Sequence, residues 1–269
     1  MTVDDECGSL VIPGPIQTDR HADLIDLTGS QSIQTEFSYL LCILADIRFL
    51  DTGMNGKKIA VIGGGIGGME SAIVLAKRGH KVTLYEKSGQ LGGVFIAAAA
   101  PSFKEKDRDL ITWYRREITK YPEITVKLNS EVADLSQCEA DEIIIATGSK
   151  ANRIPVPGID KGIQAIDFLL GKKEVGENVT IIGGGLTGCE IAYELFLQGK
   201  KPIIVEMQED LITTKGVCLA NTSYLRDFFN ANKVPVHLET GVKEIGDGFV
   251  LVTDKNGMEY KIETDSVIL

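Results

Sequence analysis

Six glycines and two carboxylates hold the chemistry in this sequence. Gly63, Gly65 and Gly68 fill the three positions of G-x-G-x-x-G, and Glu86 closes an apolar run eighteen residues past Gly68. Gly183, Gly185 and Gly188 repeat that spacing, and Glu206 again follows by eighteen residues. Each element of the second copy lies 120 residues after its counterpart in the first. The first glycine permits a tight strand-to-helix turn. The second, having no Cβ, lets a pyrophosphate approach the backbone, and the third lets the helix pack closely on the strand. The helix N–H groups and dipole then face the phosphates, and the acid accepts hydrogen bonds from ribose hydroxyls. A glycine turn in a parallel sheet without a nucleotide is the plain alternative. It explains neither the acid nor the repetition.

These residues need strands and helices to hold them. Residues 58–62 form a buried-strand run ahead of the first loop. Met69, Ala72, Ile73 and Ala76 fall at helical spacing behind it, and residues 82–85 make the returning strand. Residues 178–182, then Ile191, Ala192 and Leu195, then residues 202–205 repeat the scheme. Between the copies come Leu91-Gly92-Gly93, a helix predicted over 103–121, and strands over 124–128 and 142–146. The second of these strands ends in Ala146-Thr147-Gly148. In the 103–121 helix, Leu110, Trp113, Tyr114 and Ile118 fall at helical spacing, and Trp113 and Tyr114 read as core. Pro155, Pro157 and Gly158 mark a linker. A helix over 220–230 and strands over 234–239, 248–253 and 258–262 follow, with Lys255-Asn256-Gly257 as a hairpin turn. Asp265 opens a final run that mirrors the one opened by Asp141. The pattern predicts an α/β chain of two tandem Rossmann-like units with β-meander insertions. The expected bounds are 1–55 unassigned, 56–150 for the first unit and 151–269 for the second. A period this long means a duplicated domain, not a solenoid. Residues 37–50 have the pattern of one amphipathic helix.

Composition narrows the partners. The chain has 269 residues and a formal charge of −10, which argues against nucleic acid and anionic membranes. Its five cysteines are scattered and form no C-x-x-C, so no zinc or iron–sulfur site is expected, and free thiols fit a reducing cytosol. The acidic start lacks the basic region of a signal peptide. The longest apolar stretch, near residues 39–45, is too short to span a bilayer. His80 and His237 have no motif partner and read as ordinary surface or core residues.

Two dinucleotide folds in tandem resemble the FAD/NAD(P)-binding pair of flavin-dependent pyridine-nucleotide oxidoreductases. The motifs are residues 63–68 with Glu86 and Leu91-Gly92-Gly93, residues 146–149 ahead of 154–160, and residues 183–188 with Glu206. The resemblance implies FAD in the first unit and NAD(P)H in the second, with hydride passing between them. Disulfide reductases of this superfamily carry a redox cysteine pair soon after Leu-Gly-Gly; residues 94–109 contain no cysteine here. The stretch 91–118 resembles instead the C-terminal half of the 2-enoate reductase and 2,4-dienoyl-CoA reductase group of NADH:flavin oxidoreductases. Whole members of that group add an FMN-binding barrel and an iron–sulfur cluster. Residues 1–55 are too short for the barrel, and Cys7 and Cys42 do not reproduce the cluster. Two departures stand out. Gly65-Ile66-Gly67-Gly68 replaces the group's Gly-Pro-Ala-Gly, and the late Gly-Asp element of the FAD domain would lie beyond Leu269, leaving that domain C-terminally incomplete.

The expected cofactors are FAD and NADH. A carboxylate at Glu206 bonds a ribose 2′-OH and repels a 2′-phosphate, and Met207 and Gln208 offer no compensating cation. The expected contacts are Gly63, Gly65, Ile66, Gly67, Gly68, Glu86, Lys87, Gly92, Gly93 and residues 146–148 at the first site. At the second they are Gly183, Gly185, Leu186, Thr187, Gly188 and Glu206. By resemblance, Val132 and Val242 lie at the adenine rings, and Glu190, on the first turn of the second helix, lies near the nicotinamide amide. A helix N-terminal carboxylate favoured by the dipole is the plain reading of Glu190. The implied partner is an FMN-barrel and iron–sulfur domain or subunit. One competing reading is an adenine-nucleotide-binding module without redox activity, as in trimethylamine dehydrogenase, whose equivalent domain holds only ADP. The other is a stand-alone diaphorase.

Overall fold

The structure, a computed structural model, describes residues 24–26, 56–152 and 154–269. The helix expected over 37–50, together with Cys7, His21 and Cys42, lies outside these residues. The first parallel sheet contains β1 (Leu24–Asp26), β2 (Lys58–Ile62), β3 (Lys81–Tyr85), β4 (Ile124–Lys127) and β5 (Glu142–Ile145), in the order β1-β5-β2-β3-β4. The helices between them are α1 (Ile66–Lys77), the four-residue α2 (Phe95–Ala98) and α3 (Glu105–Ile118). In the second unit α4 (Ala165–Leu169) precedes β6 (Asn178–Ile182), α5 (Leu186–Leu197), β7 (Lys201–Val205), α6 (Leu219–Ala231) and β8 (Val236–His237). The antiparallel strands β9 (Gly241–Ile245), β10 (Phe249–Thr253) and β11 (Glu259–Glu263) follow, and then β12 (Ser266–Ile268).

The second parallel sheet runs β12-β6-β7-β8, the order of β5-β2-β3-β4 repeated. Both are built for two-sided burial: β2 is buried at every position after its first residue. One face of the first sheet packs on α1 and α3 through Ile59, Val61, Met69, Ile73, Leu84 and Ile118. One face of the second packs on α5 and α6 through Val179, Ile181, Ile191, Leu195, Ile204 and Phe229. Among the described residues the antiparallel insertion occurs once, as β9–β11, which covers the other face of the second sheet through Ile245, Val250, Val252 and Ile262. In the first unit a short connection with a 3-10 turn at Leu135–Gln137 takes that place, and Cys138 packs on Ala60, Ile62 and Ile143.

Several boundaries differ from expectation. The helix expected over 103–121 is the shorter α3. At its start Arg108 donates to the carbonyls of Ala99, Pro101 and Ser102, which holds residues 99–104 as a turn. At its end Tyr121 precedes Pro122, and a residue before proline is pushed out of helical geometry. Trp113 is exposed, not core: Leu110, Tyr114 and Ile118 join the core of the first sheet, and Trp113 packs edge-on against Tyr114. Asp141 and Asp265 do correspond. Each clips its strand to the neighbouring one, Asp141 through the Lys58 N–H at 2.8 Å and Asp265 through the Asn178 N–H at 2.7 Å.

Candidate functional site

The chain leaves β2 at Gly63, whose φ of +109° is one that side chains rarely adopt. The Gly63 N–H donates to Tyr85 O at 2.8 Å, so the loop emerges between β2 and β3. Gly65 is the N-cap of α1 and no side chain caps that helix. A Cβ on Gly65 would meet nothing within 4 Å, so the helix N-terminus opens onto free space. Ile66 and Gly67 form the first turn with Gly68, where a Cβ would lie 1.8 Å from Gly63 O; only glycine lets α1 sit this close to the turn. Ala146 follows β5 and lies against the same turn, with its N–H on Ile62 O at 2.8 Å, and Thr147 and Gly148 come next.

The second loop is a geometric copy. Gly183 has φ +105° and donates to Val205 O at 2.9 Å. Gly185 caps α5 with no side-chain partner and faces open space, Leu186 and Thr187 form the first turn, and a Cβ on Gly188 would lie 2.0 Å from Gly183 O. Uncapped N–H groups at the positive end of a helix dipole form an anion seat, and each unit has one.

The two acids are buried and held alike. Glu86 accepts from the Gly64 and Ser88 N–H groups, both at 2.7 Å. Glu206 accepts from Gly184 N–H at 2.6 Å and Gln208 N–H at 2.7 Å. Each carboxylate thus ties the tip of its strand to its glycine loop. Lys87 beside Glu86 is exposed, and Met207 beside Glu206 is 73% exposed. The Ser130 N–H bonds Glu86 O and the Thr240 N–H bonds Glu206 O, each at 2.9 Å, which brings Val132 and Val242 to equivalent places two residues further on. Gly92 forms a β-bridge with Gly65, and a Cβ on Gly93 would lie 3.0 Å from Gly65 Cα. In the second unit these positions are Ile212 and Thr213.

Sequence reasoning missed Gly64 and Gly184, the middle glycines. A Cβ on Gly64 would lie 2.5 Å from Leu91 Cδ2 and 2.9 Å from Glu86 Cβ; on Gly184 it would lie 2.5 Å from Leu211 Cδ2 and 3.0 Å from Glu206 Cβ. The unbroken triple glycine in both copies was the available signal.

Glu190 is the fifth residue of α5, one turn beyond the position expected, and the first turn contains no acid. It does not sit as a free helix N-terminal carboxylate: Lys104 of the first unit pairs with it at 2.6 Å. Burial pushes the Glu190 carboxyl above the usual range, and Lys104 opposes the shift. One turn on, the buried Glu194 accepts from the Ser102 N–H at 2.9 Å and the Ser102 hydroxyl at 2.8 Å. Phe103 packs edge-on against Tyr193 with ring centroids 5.1 Å apart. Residues 102–104 therefore dock onto one face of α5. A cleft of about 300 Å³ lies beside this contact, bounded by Phe103, Lys104, Glu190, Tyr193 and Tyr224.

Other reactive groups lie away from the loops or are muted. Cys138, Cys189 and Cys218 are free thiols. Cys189, fully buried, donates to Gly184 O at 3.3 Å, and burial pushes its thiol up to about 12. His237 meets the Tyr260 hydroxyl at 2.9 Å, and burial lowers its pKa. Among the described residues no group of three or more His, Cys, Asp or Glu is placed to hold a metal ion, and no helix is long and apolar enough to cross a membrane.

The family profile described as pyridine nucleotide-disulphide oxidoreductase matches residues 57–269. A cinnamate reductase of Clostridium sporogenes is 44% identical over 217 residues, covering 79% of this chain and 32% of that protein. An NADH oxidase of Thermoanaerobacter brockii is 34% identical over 222 residues, covering 79% of this chain and 34% of that protein. A solved 2-naphthoyl-CoA reductase complex superposes with a TM-score of 0.72 at 29% identity, covering 81% of this chain and 34% of its own. The chain thus spans about a third of the length of these relatives.

Proposed function

The chain belongs to the pyridine nucleotide-disulphide oxidoreductase family, and from that premise we propose that it takes hydride from NADH onto FAD, as the electron-input part of an enoate-reductase-like flavoenzyme. The observation that carries this reading is the pair of uncapped helix N-termini, each behind a glycine turn and each closed by a buried glutamate. FAD belongs at Gly63, Gly65, Ile66, Gly67, Gly68, Glu86, Lys87, Gly92, Gly93 and residues 146–148, with Val132 toward the adenine. NADH belongs at Gly183, Gly185, Leu186, Thr187, Gly188 and Glu206, with Val242 toward the adenine. The glycines give each pyrophosphate room, the N–H groups bind it, and the glutamates orient the riboses. When bound, the flavin supplies the two-electron acceptor for the hydride. Glu206, with Met207, Gln208 and Glu209 after it, offers a 2′-phosphate no cation, which selects NADH over NADPH.

The downstream partner is an FMN-barrel and iron–sulfur domain or subunit, and the compartment is the cytoplasm, where thiols such as those of Cys138, Cys189 and Cys218 stay free. The test is anaerobic titration of the FAD-loaded chain. NADH bleaches the flavin band, with kcat/KM at least about tenfold above that for NADPH. A colourless protein that binds ADP but never retains flavin establishes the nucleotide-binding module instead, and equal use of NADPH removes the role given to Glu206.

A further inference from the structure

Each nucleotide loop rests on a second layer. The Gly92 N–H donates to Gly64 O at 2.8 Å, and the Ile212 N–H donates to Gly184 O at the same distance. The leucine before each, Leu91 or Leu211, is buried and fills the space above the middle glycine. One arginine holds the carbonyl of each leucine. Arg115, in the last turn of α3, donates through Nε to Leu91 O at 2.9 Å, through Nη2 to the same oxygen, and through Nη2 to Gln90 Oε1 at 3.2 Å. Arg226, within α6, donates through Nε to Leu211 O at 3.1 Å and through Nη2 to the same oxygen. Its Nε also lies 3.2 Å from Asp210 Oδ2.

Gln90 and Asp210, like Leu91 and Leu211, are 120 residues apart, but Arg115 and Arg226 are 111 apart. Two helices therefore deliver the same group to the same carbonyl from non-equivalent positions. What recurs is the demand of the loop, not the sequence that meets it. A guanidinium fork on one carbonyl fixes both the position and the direction of that peptide. The N–H of that same peptide, from Gly92 or Ile212, is the one that donates to the carbonyl of the loop's middle glycine.

We infer that Arg115 and Arg226 are positioning residues for the two nucleotide loops, each acting on its own loop through the leucine carbonyl. This rests on the dinucleotide reading of those loops. The first test needs no nucleotide. In R115A, amide hydrogen exchange of the full chain accelerates about tenfold or more over residues 63–68 and 90–93, while residues 183–188 and 210–213 hold the wild-type rate. In R226A the two sets exchange roles. R115K and R226K restore only part of the protection, because an ammonium lacks the fork. The second test is binding: R115A weakens FAD by about tenfold with NADH within about twofold, and R226A does the reverse. Exchange that rises equally in both loops in either variant, or in neither, overturns the inference, as does full rescue by lysine. If the wild-type chain binds neither nucleotide, the functional reading fails while the exchange test still decides this one.

Discussion

Glu86 and Glu206, proposed above as the ribose acceptors, also do structural work: each accepts two backbone N–H groups. An N–H left buried without an acceptor costs more than the net worth of the bond it made, because its desolvation is no longer offset. Glu86→Ala strips the partners of Gly64 and Ser88 together. We expect the nucleotide-free chain to lose about 2–4 kcal/mol in urea unfolding, while Glu86→Gln, which keeps one acceptor oxygen, loses less. A purely ligand-directed glutamate would show no loss without ligand.

At the scale of the elements, the aspartates that open β5 and β12 act as strand clips. Asp265 accepts from the Glu177 N–H and from the backbone and side chain of Asn178. The Asn178 N–H is the chief reason its carboxyl titrates below the ordinary aspartate value of 3.8. A lowered pKa in the folded state means that its stabilisation is present above that ordinary value and is lost as pH falls through the lower folded one. Asp265→Asn is therefore expected to be less stable than wild type near neutral pH and to converge with it as the pH falls below the ordinary aspartate value, as followed by chemical unfolding across that range. This clip was half legible in the sequence. An acid ahead of an apolar run appears in both copies, but which neighbour it bonds depends on strand order. The glycine loops and their acids were the most legible part, because positive φ and close approach restrict the residue type itself. Arg115 and Arg226 were not legible. A helical arginine reads as solvated, and their spacing breaks the 120-residue register. The start of α3 was misplaced because Arg108, four residues inside the helix, captures the carbonyls that precede it. Trp113 was misassigned because three other positions on the helix already fill the contact with the sheet. β1 has three residues and gains its partner, β5, only across the fold.

For the whole molecule, the contact between units joins apolar and polar groups: Phe103 packs on Tyr193, with Lys104 on Glu190 and Ser102 on Glu194 to either side. The Lys104–Glu190 pair is shielded, with each side chain under one-fifth exposed. Removing one member of such a pair leaves a charge with no partner, whereas removing both does not. Lys104→Ala should therefore cost about 1–3 kcal/mol, and adding Glu190→Gln should recover part of it. Additive losses in that double-mutant cycle would mean that the two groups do not act as a pair.

The thiol beneath the second loop turns this architecture into a clock. Cys189 lies under Gly184, bonded to its carbonyl, and burial pushes its thiol well above the usual range. Buried as it is, we expect it to meet a thiol reagent when residues 183–188 lift. Its rate of modification therefore counts those moments, and any ligand that holds the loop down lengthens the interval between them.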